Sequence, residues 1–325
     1  MARELHSLNE TEMGMVNEYV EAGIASSHEE ALKFLLESGM IQDRVGGGGT
    51  YIPEGYAYLK FHNGHQKSKF TQVDKLAKKS KKDSPFEVEN WYLGAEFPKD
   101  DSGNILLDSV VKGEELGQNP TLVVTHIMYS GRRFNPVKPN EAVTTTLANG
   151  MNNEHQKQMI DLKSKKSLYD IRQEQIKQFS VEKYAEIEKD EKVKFAINIF
   201  GLAKTENGWK KFWLEDTVGK PEFRLEEEFQ DEVRKSKKAS WNFLVELSTN
   251  EDPNSAGNYN RKLIIKGELG ADDRKEVLPL IGEASRSISK FLEDQKAQVS
   301  RQGSAGASDQ TSNDTLVDEE INWDN

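Results

Sequence analysis

The segment that begins at Val193 constrains the fold more than any other part of the chain. Apolar residues occupy every second position from Val193 to Ile199, which is the pattern of a β-strand with one apolar face. The pair Asn207-Gly208 follows, and such a pair between two strand-like runs is a strong signal for a tight hairpin. Residues 209–214 then supply the returning strand. The sequence therefore predicts an antiparallel β-sheet.

Further strand-like runs surround this hairpin, and two helical regions interrupt them. The runs lie at residues 56–61, 86–97, 122–129, 241–247 and 261–269. The run 122–129 is apolar on both faces, which is typical of a central strand covered on both sides. A segment rich in Gln, Lys and Glu, 152–190, predicts an insertion of broken or surface helices. Residues 273–299 predict an amphipathic helix, and we expect Pro279 to delay its start.

Residues 9–40 predict two short helices. Ser27 with Glu30 forms a capping box for the second of them. Together with the extended residues before the first helix, the run 16–32 resembles a ribbon-helix-helix unit. That resemblance implies a ribbon in the major groove of DNA, but the net charge of −6 over residues 1–45 opposes contact with phosphate. We favour a hairpin for interaction or self-association, and a ribbon-helix-helix regulator with a large effector domain is an alternative.

The net charge of −11 is unevenly distributed over the 325 residues. Residues 1–45 and 303–325 carry −6 each, and the part between them carries +1. Inside that part, residues 60–82 contain eight lysines and a single acidic residue, Asp74. Because local potential governs the encounter of charged molecules, a net acidic protein with such a basic segment can still bind a polyanion.

Several functional classes lack support in the sequence. The chain has no cysteine, which excludes a disulfide scaffold and thiolate metal sites. Its apolar runs are too short for a membrane span and its N-terminus lacks the apolar core of a signal peptide, so we expect a cytoplasmic location, in the host if viral, and no membrane partner. His62 and His65 have no further ligands at a suitable spacing, and we interpret them as solvated loop histidines. With no nucleophile, phosphate-loop or zinc-protease motif, we expect no enzyme, no metal and no cofactor.

Basic and aromatic residues interleave at three places. The strand 209–214 places two indoles and a lysine on one face, where the indoles could stack on unpaired bases; the opposite orientation would bury them. Two arginines and a phenylalanine follow the strand 122–129, and the lysine stretch 67–82 predicts a mobile basic loop. The predicted nucleic-acid-binding residues are Lys67, Lys69, Lys75, Lys78, Lys79, Lys81, Lys82, Arg132, Arg133, Phe134, Trp209, Lys211 and Trp213.

The C-terminal residues 300–325 combine a small, polar spacer, which predicts disorder, with an acidic end. Such a spacer with acids and an apolar tip resembles the tail of bacterial and phage single-stranded DNA-binding proteins. The resemblance implies a tail that recruits replication or recombination proteins and competes with DNA for a basic groove. The bacterial tip ends in Pro-Phe, whereas this chain ends in Ile-Asn-Trp-Asp-Asn. The predicted partner-binding residues are Asp318, Glu319, Glu320, Ile321, Trp323 and Asp324.

These patterns predict an α+β protein with an N-terminal helical hairpin and a C-terminal amphipathic helix. Residues 50–299 form its β-rich core, which we interpret as an elaborated barrel of the oligonucleotide-binding (OB) type. The predicted function is sequence-tolerant binding of single-stranded DNA in replication or recombination. The alternative is a viral structural or scaffolding protein that uses its two ends for protein contacts.

Overall fold

A computed structural model describes residues 10–37, 53–66, 68–100, 102–133, 142–179, 193–218, 224–251 and 259–303. Within these ranges the protein is mixed α+β, with a curled, open sheet that forms a half-barrel and several helices. The helices are α1 (Glu10–Glu21), α2 (His28–Glu37), α3 (Lys69–Lys79), α4 (Asn153–Gln158), α5 (Leu168–Phe179), α6 (Glu227–Ser236) and α7 (Ala271–Gly303). The strands are β1 (Ala57–Phe61), β2 (Trp91–Leu93), β3 (Glu114–Gly117), β4 (Thr121–Arg133), β5 (Val143–Thr144), β6 (Lys194–Thr205), β7 (Gly208–Thr217), β8 (Phe243–Glu251) and β9 (Tyr259–Glu268).

The described strands join in one sheet with a single parallel neighbour pair. The order is β3-β2-β1-β7-β6-β4-β8-β9, and β5 pairs with the end of β4. The pair β1–β7 is parallel and the other pairs are antiparallel. β1 meets β7 only where Ala57 lies opposite Phe212 and Tyr58 opposite Trp213. Because this contact is so short, the two strands separate on both sides of it.

The predicted hairpin and the predicted C-terminal helix are confirmed. β6 ends at Thr205 and β7 begins at Gly208, whose φ of +97° suits glycine. The helix α7 begins at Ala271 and continues through Pro279, so the predicted delay at the proline is wrong. Pro279 lies on the exposed side of α7, while the opposite side, which includes Val277, is buried against the sheet. Burial of that apolar side offsets the backbone bond that the proline removes.

Both faces of the central strands are buried. On one face, Leu122 and Phe212 belong to the main apolar cluster, to which α5 contributes Leu168 and Ile171. The described part of the segment 152–190 contains two separate helices, α4 and α5, as the prediction of broken helices requires. The prediction of a surface position is wrong for α5, because its first turn packs in the core. On the opposite face, α7 packs over β4, β6 and β7.

The curl of the sheet brings its two ends together, and side chains join them. The indole N–H of Trp91 on β2 donates to Thr249 Oγ1 on β8 at 3.0 Å. The ring centroids of Phe61 on β1 and Tyr259 on β9 are 5.0 Å apart. Since these contacts involve no backbone pairing, they leave a seam between β1 and β9.

The N-terminal hairpin has an apolar cluster of its own, formed by Val16, Ala25, Ala31 and Leu32. The predicted cap of α2 is confirmed, since Ser27 Oγ accepts from the backbone N–H of Glu30 at 3.2 Å. The extended segment required for a ribbon-helix-helix unit lies outside the described residues, so that resemblance stays a prediction.

Candidate nucleic-acid interface

A cleft of about 590 Å³ opens where β1 and β7 separate, at the C-terminal ends of both strands. We call it the seam cleft, because β9 forms its far wall and α3 one of its edges. Its lining combines cations with aromatic rings. The cations are Lys60, Lys69 and Arg261, and the rings belong to Tyr58, Phe61, Phe70, Trp91, Phe97 and Tyr259.

Lys60 lies among these rings in a half-buried position. Its Nζ is 5.5 Å from the ring centroid of Tyr58 and 5.3 Å from that of Phe97, and it donates to the carbonyl oxygen of Ala95. Burial and, to a smaller extent, the positive charge of Lys69 lower the pKa of Lys60 to about 8, while Glu96 opposes the shift. At neutral pH the cleft therefore contains a desolvated ammonium group, which gains free energy when an anion approaches it.

Four rings in the cleft keep part of their surface accessible: Tyr58, Phe61, Phe97 and Tyr259 are half-buried. Tyr58 stacks on Trp213 with a centroid distance of 4.9 Å, and Tyr259 donates its hydroxyl to Glu89 at 3.2 Å. Contacts behind the rings thus fix their positions while faces or edges remain open to the cleft. Such rings can receive planar apolar groups, among them nucleic-acid bases.

Two acidic residues on β7 hold arginines beside the cleft. Glu215 accepts from Arg132 through both carboxylate oxygens, at 2.5 and 2.6 Å, and Asp216 lies 3.1 Å from Arg261. The prediction that Arg132 and Arg133 follow the strand is wrong, because β4 extends through both residues and β5 pairs with them. Arg132 donates to both carboxylate oxygens of Glu215, which lines the cleft, and so stabilises the cleft wall. A phosphate would have to compete with Glu215 for this arginine.

The lysine segment is a helix rather than the predicted mobile loop. Ser68 caps α3 by accepting from the backbone N–H of Thr71, and Phe70, Val73 and Ala77 form its buried side. This spacing of three and four residues is the helical apolar period, which the lysines between them obscure. Burial of this side fixes the orientation of α3, so the direction in which each lysine leaves the helix is also fixed.

Of the predicted lysines that the structure describes, Lys69 lines the seam cleft, with its Nζ 6.0 Å from the ring of Phe97. The others on this segment are exposed and lie farther along α3 or beyond it: Lys75, Lys78, Lys79, Lys81 and Lys82. Lys82 pairs with Asp108 at 2.6 Å. Lys211 approaches Glu283 on α7 at 3.7 Å and lines a different cavity.

The prediction that Trp209 and Trp213 form an exposed stacking surface is wrong. They are 7% and 4% exposed, respectively. The ring of Trp213 stacks on Tyr58 and Phe200, and its indole N–H donates to Asn198 Oδ1 at 3.0 Å. The physical reason is α7, which covers the face of the sheet that would otherwise have presented both indoles to solvent.

His62 is a buried structural residue, so its interpretation as a solvated loop histidine is also wrong. It is 0% exposed, and its Nε2 lies 2.9 Å from Asp74 Oδ2 on α3. Its Nδ1 accepts from the backbone N–H of Gly64 at 3.3 Å, which fixes the proton on Nε2 in the neutral ring. His62 therefore ties the end of β1 to α3, the two elements that carry Lys60 and Lys69.

The remaining predicted site residues lie outside the described part of the chain: Lys67, Phe134, Asp318, Glu319, Glu320, Ile321, Trp323 and Asp324. Sequence reasoning missed Lys60, Phe97 and Tyr259 as site residues. The alternation in residues 56–61, which puts Tyr58 and Lys60 on one face of a strand, was the available signal. Nothing local to Phe97 or Tyr259 connects them to that strand.

The described residues hold no cluster of three or more His, Asp or Glu side chains suited to a metal ion. Among the same residues, no helix has both the length and the apolar character needed to cross a membrane. No protein-family model matches the chain, and neither a curated protein nor a solved structure matches it.

Proposed function

We propose that the protein binds single-stranded DNA in the seam cleft with broad sequence tolerance, as part of replication or recombination. The observation that carries this proposal is the ammonium group of Lys60, held between half-buried aromatic rings beside Lys69. Unpaired bases stack on such rings with about 1–3 kcal/mol per base, and the lysines replace counterions on the phosphates. The curled sheet supports an elaborated OB-like barrel as the domain that presents the cleft.

The test is a titration of a fluorescently labelled oligo-dT at several salt concentrations, followed by anisotropy. Lys69→Gln is expected to weaken binding several-fold and to lower the slope of log Kd against log salt by about 0.7, the value for one phosphate contact on a single strand. Lys75→Gln is the matched control, because this exposed lysine lies on the same helix but does not line the cleft.

Absence of binding at low salt would overturn the proposed function. An equal loss in Lys69→Gln and Lys75→Gln would place the strand along the outer side of α3 instead of in the cleft.

The two ends of the chain have roles of their own in this proposal. Residues 318–324 recruit replication or recombination proteins, and residues 1–45 mediate self-association. Truncation after Gly303 removes six acidic residues and leaves every basic residue in place. Because that tail repels or displaces DNA, we expect the shortened chain to bind oligo-dT several-fold more tightly at low salt, with the gain vanishing as salt rises. Equal affinity of the two chains at low salt would contradict the competition.

A further inference from the structure

The side-chain nitrogen of Lys60 has neighbours that favour its uncharged form. It lines the seam cleft, where its Nζ lies 5.5 Å from the ring centroid of Tyr58 and 5.3 Å from that of Phe97. Its hydrogen-bond acceptor is the carbonyl oxygen of Ala95, which is neutral and therefore favours the ammonium form less than a carboxylate would. Lys69 adds a second positive charge to the same cleft. Desolvation together with a neighbouring cation is the arrangement by which proteins produce a nucleophilic lysine.

The uncharged amine, which is the nucleophilic form, is present in this cleft near neutral pH. With a pKa of about 8, roughly a quarter of the Lys60 side chains are uncharged at pH 7.5, against about one in a thousand for a lysine with the ordinary pKa of 10.5. The charged fraction attracts a phosphate, and the uncharged fraction can attack a carbonyl carbon. The same side chain can therefore bind a strand and react with a carbonyl group in it.

We propose that Lys60 forms an imine with the aldehyde of an abasic nucleotide in the bound strand. This inference rests on the proposed function. In its ring-opened form an abasic nucleotide carries an aldehyde at C1′, the sugar carbon that otherwise bears the base. The lone pair of Nζ attacks this carbon, a C=N bond replaces the C=O bond, and the oxygen leaves as water with both hydrogens of the amine. The reaction needs no oxidant and no further reactant.

The rings beside Lys60 suit an abasic position within a single strand. Stacked aromatic groups have centroids about 4.5–7 Å apart, so a nucleotide placed against Tyr58 or Phe97 lies within reach of Nζ. Where the base is missing, no base separates C1′ from the amine. Lys69 keeps a positive charge in the cleft for the adjoining phosphate after Lys60 has reacted.

The experiment traps the imine by reduction with cyanoborohydride, on the full chain at pH 7.5. The probe is a labelled oligo-dT with one central abasic site, used at a protein concentration that saturates it, and a denaturing gel measures the crosslinked fraction. The same strand with a tetrahydrofuran residue at that position has no aldehyde, so it should bind and give no crosslink. Mass spectrometry of the digested adduct should place the modification on Lys60.

Lys60→Arg keeps a cation at this position and removes the primary amine, so the crosslinked fraction at saturation should fall about tenfold. Lys75→Arg is the matched control, because Lys75 is exposed on α3 and does not line the cleft. Its crosslinked fraction should equal that of the wild-type chain. The adduct mapped on the wild-type chain gives a second reading if Lys60→Arg fails to fold.

The free sugar 2-deoxyribose 5-phosphate carries the same aldehyde without a strand. At the same concentration as the abasic oligonucleotide it should label Lys60 about tenfold less, because only the strand holds its aldehyde in the cleft. Equal labelling would overturn the abasic strand as the substrate in favour of a small carbonyl compound.

A crosslink that maps to Lys69, or to lysines outside the cleft, overturns Lys60 as the nucleophile. Binding of the tetrahydrofuran strand without any crosslink to the abasic strand overturns the imine and leaves the proposed function in place. Failure of both strands to bind at low salt overturns both.

Discussion

Replacing Trp213 with alanine is expected to lower the free energy of unfolding by about 4 kcal/mol. Its ring contacts Tyr58, Phe200 and Phe291 at centroid distances of 4.9, 5.3 and 6.2 Å. Truncation leaves a cavity beneath α7 and removes the donor that Asn198 uses, so both packing and hydrogen bonding are lost. Urea unfolding followed by circular dichroism measures the change as a lower midpoint at a similar slope.

Trp213→Phe is the control for this variant. It keeps an aromatic ring in the site and loses the indole N–H, so we expect a decrease nearer 1–2 kcal/mol, about that of one buried hydrogen bond with some lost packing. The pair separates a core role from a binding role. If Trp213→Ala keeps wild-type stability and loses affinity for DNA, the indole stacks on bases. That result would contradict the core role of Trp213 beneath α7.

The sequence predicted those elements whose signals are local. The hairpin between Thr205 and Gly208 depends on a turn pair and on alternation within two adjacent runs, so a short window contains all the information. The helix α7 carries a continuous apolar side, of which Val277, Ile281 and Ile288 are buried, and this periodicity outweighed the proline.

The errors arose where a neighbouring element decides which side chains are buried, or where charged residues obscure a local period. Trp209 and Trp213 lie on a strand whose two faces both contain apolar residues, and the strand alone does not reveal that α7 covers one of them. In the lysine segment, Phe70 and Val73 follow the helical period, but the many charged residues between them obscure this period. For the two indoles, burial depends on residues far away in sequence, whereas the lysine segment carries a local apolar period that was available in the sequence.

The seam cleft could not be predicted because its walls come from distant parts of the chain. Tyr58 and Lys60 lie on β1, whereas Tyr259 lies on β9, and only the curl of the sheet brings Phe61 against Tyr259. Periodicity assigns a residue to a face of an element but does not say which faces meet. The basic and aromatic composition of the cleft was therefore predictable in kind, while most of its lining residues were not.

Lys60→Met is expected to make the protein more stable and a weaker binder of DNA at pH 7. Burial of the ammonium opposes folding, as the lowered pKa of Lys60 shows, and methionine fills the same space without a charge. The carbonyl oxygen of Ala95 loses a donor, which offsets part of the gain, so we expect a net stabilisation of about 1 kcal/mol. Loss of one phosphate contact should weaken binding about tenfold.

The pH dependence of stability separates Lys60 from an ordinary surface lysine. Its pKa is about 8 in the folded protein and near 10.5 when the chain is unfolded. Between these values the unfolded chain binds more protons than the folded one, so the stability contributed by this group rises with pH. The advantage of Lys60→Met should therefore be fully present below pH 8 and shrink as the pH rises from 8 towards 10.5.

Binding should show the opposite trend, because DNA favours the charged form of Lys60. With a pKa of about 8 in the free protein, roughly nine in ten Lys60 side chains are uncharged at pH 9. If the charge contributes about tenfold to binding, the affinity for a single strand should fall about fivefold between pH 7 and pH 9. Anisotropy titrations across this range, with Lys60→Met as the baseline for all other titrating groups, measure the effect. A wild-type profile parallel to that of Lys60→Met would show that Lys60 does not meet a phosphate, even if the oligonucleotide binds elsewhere on the protein.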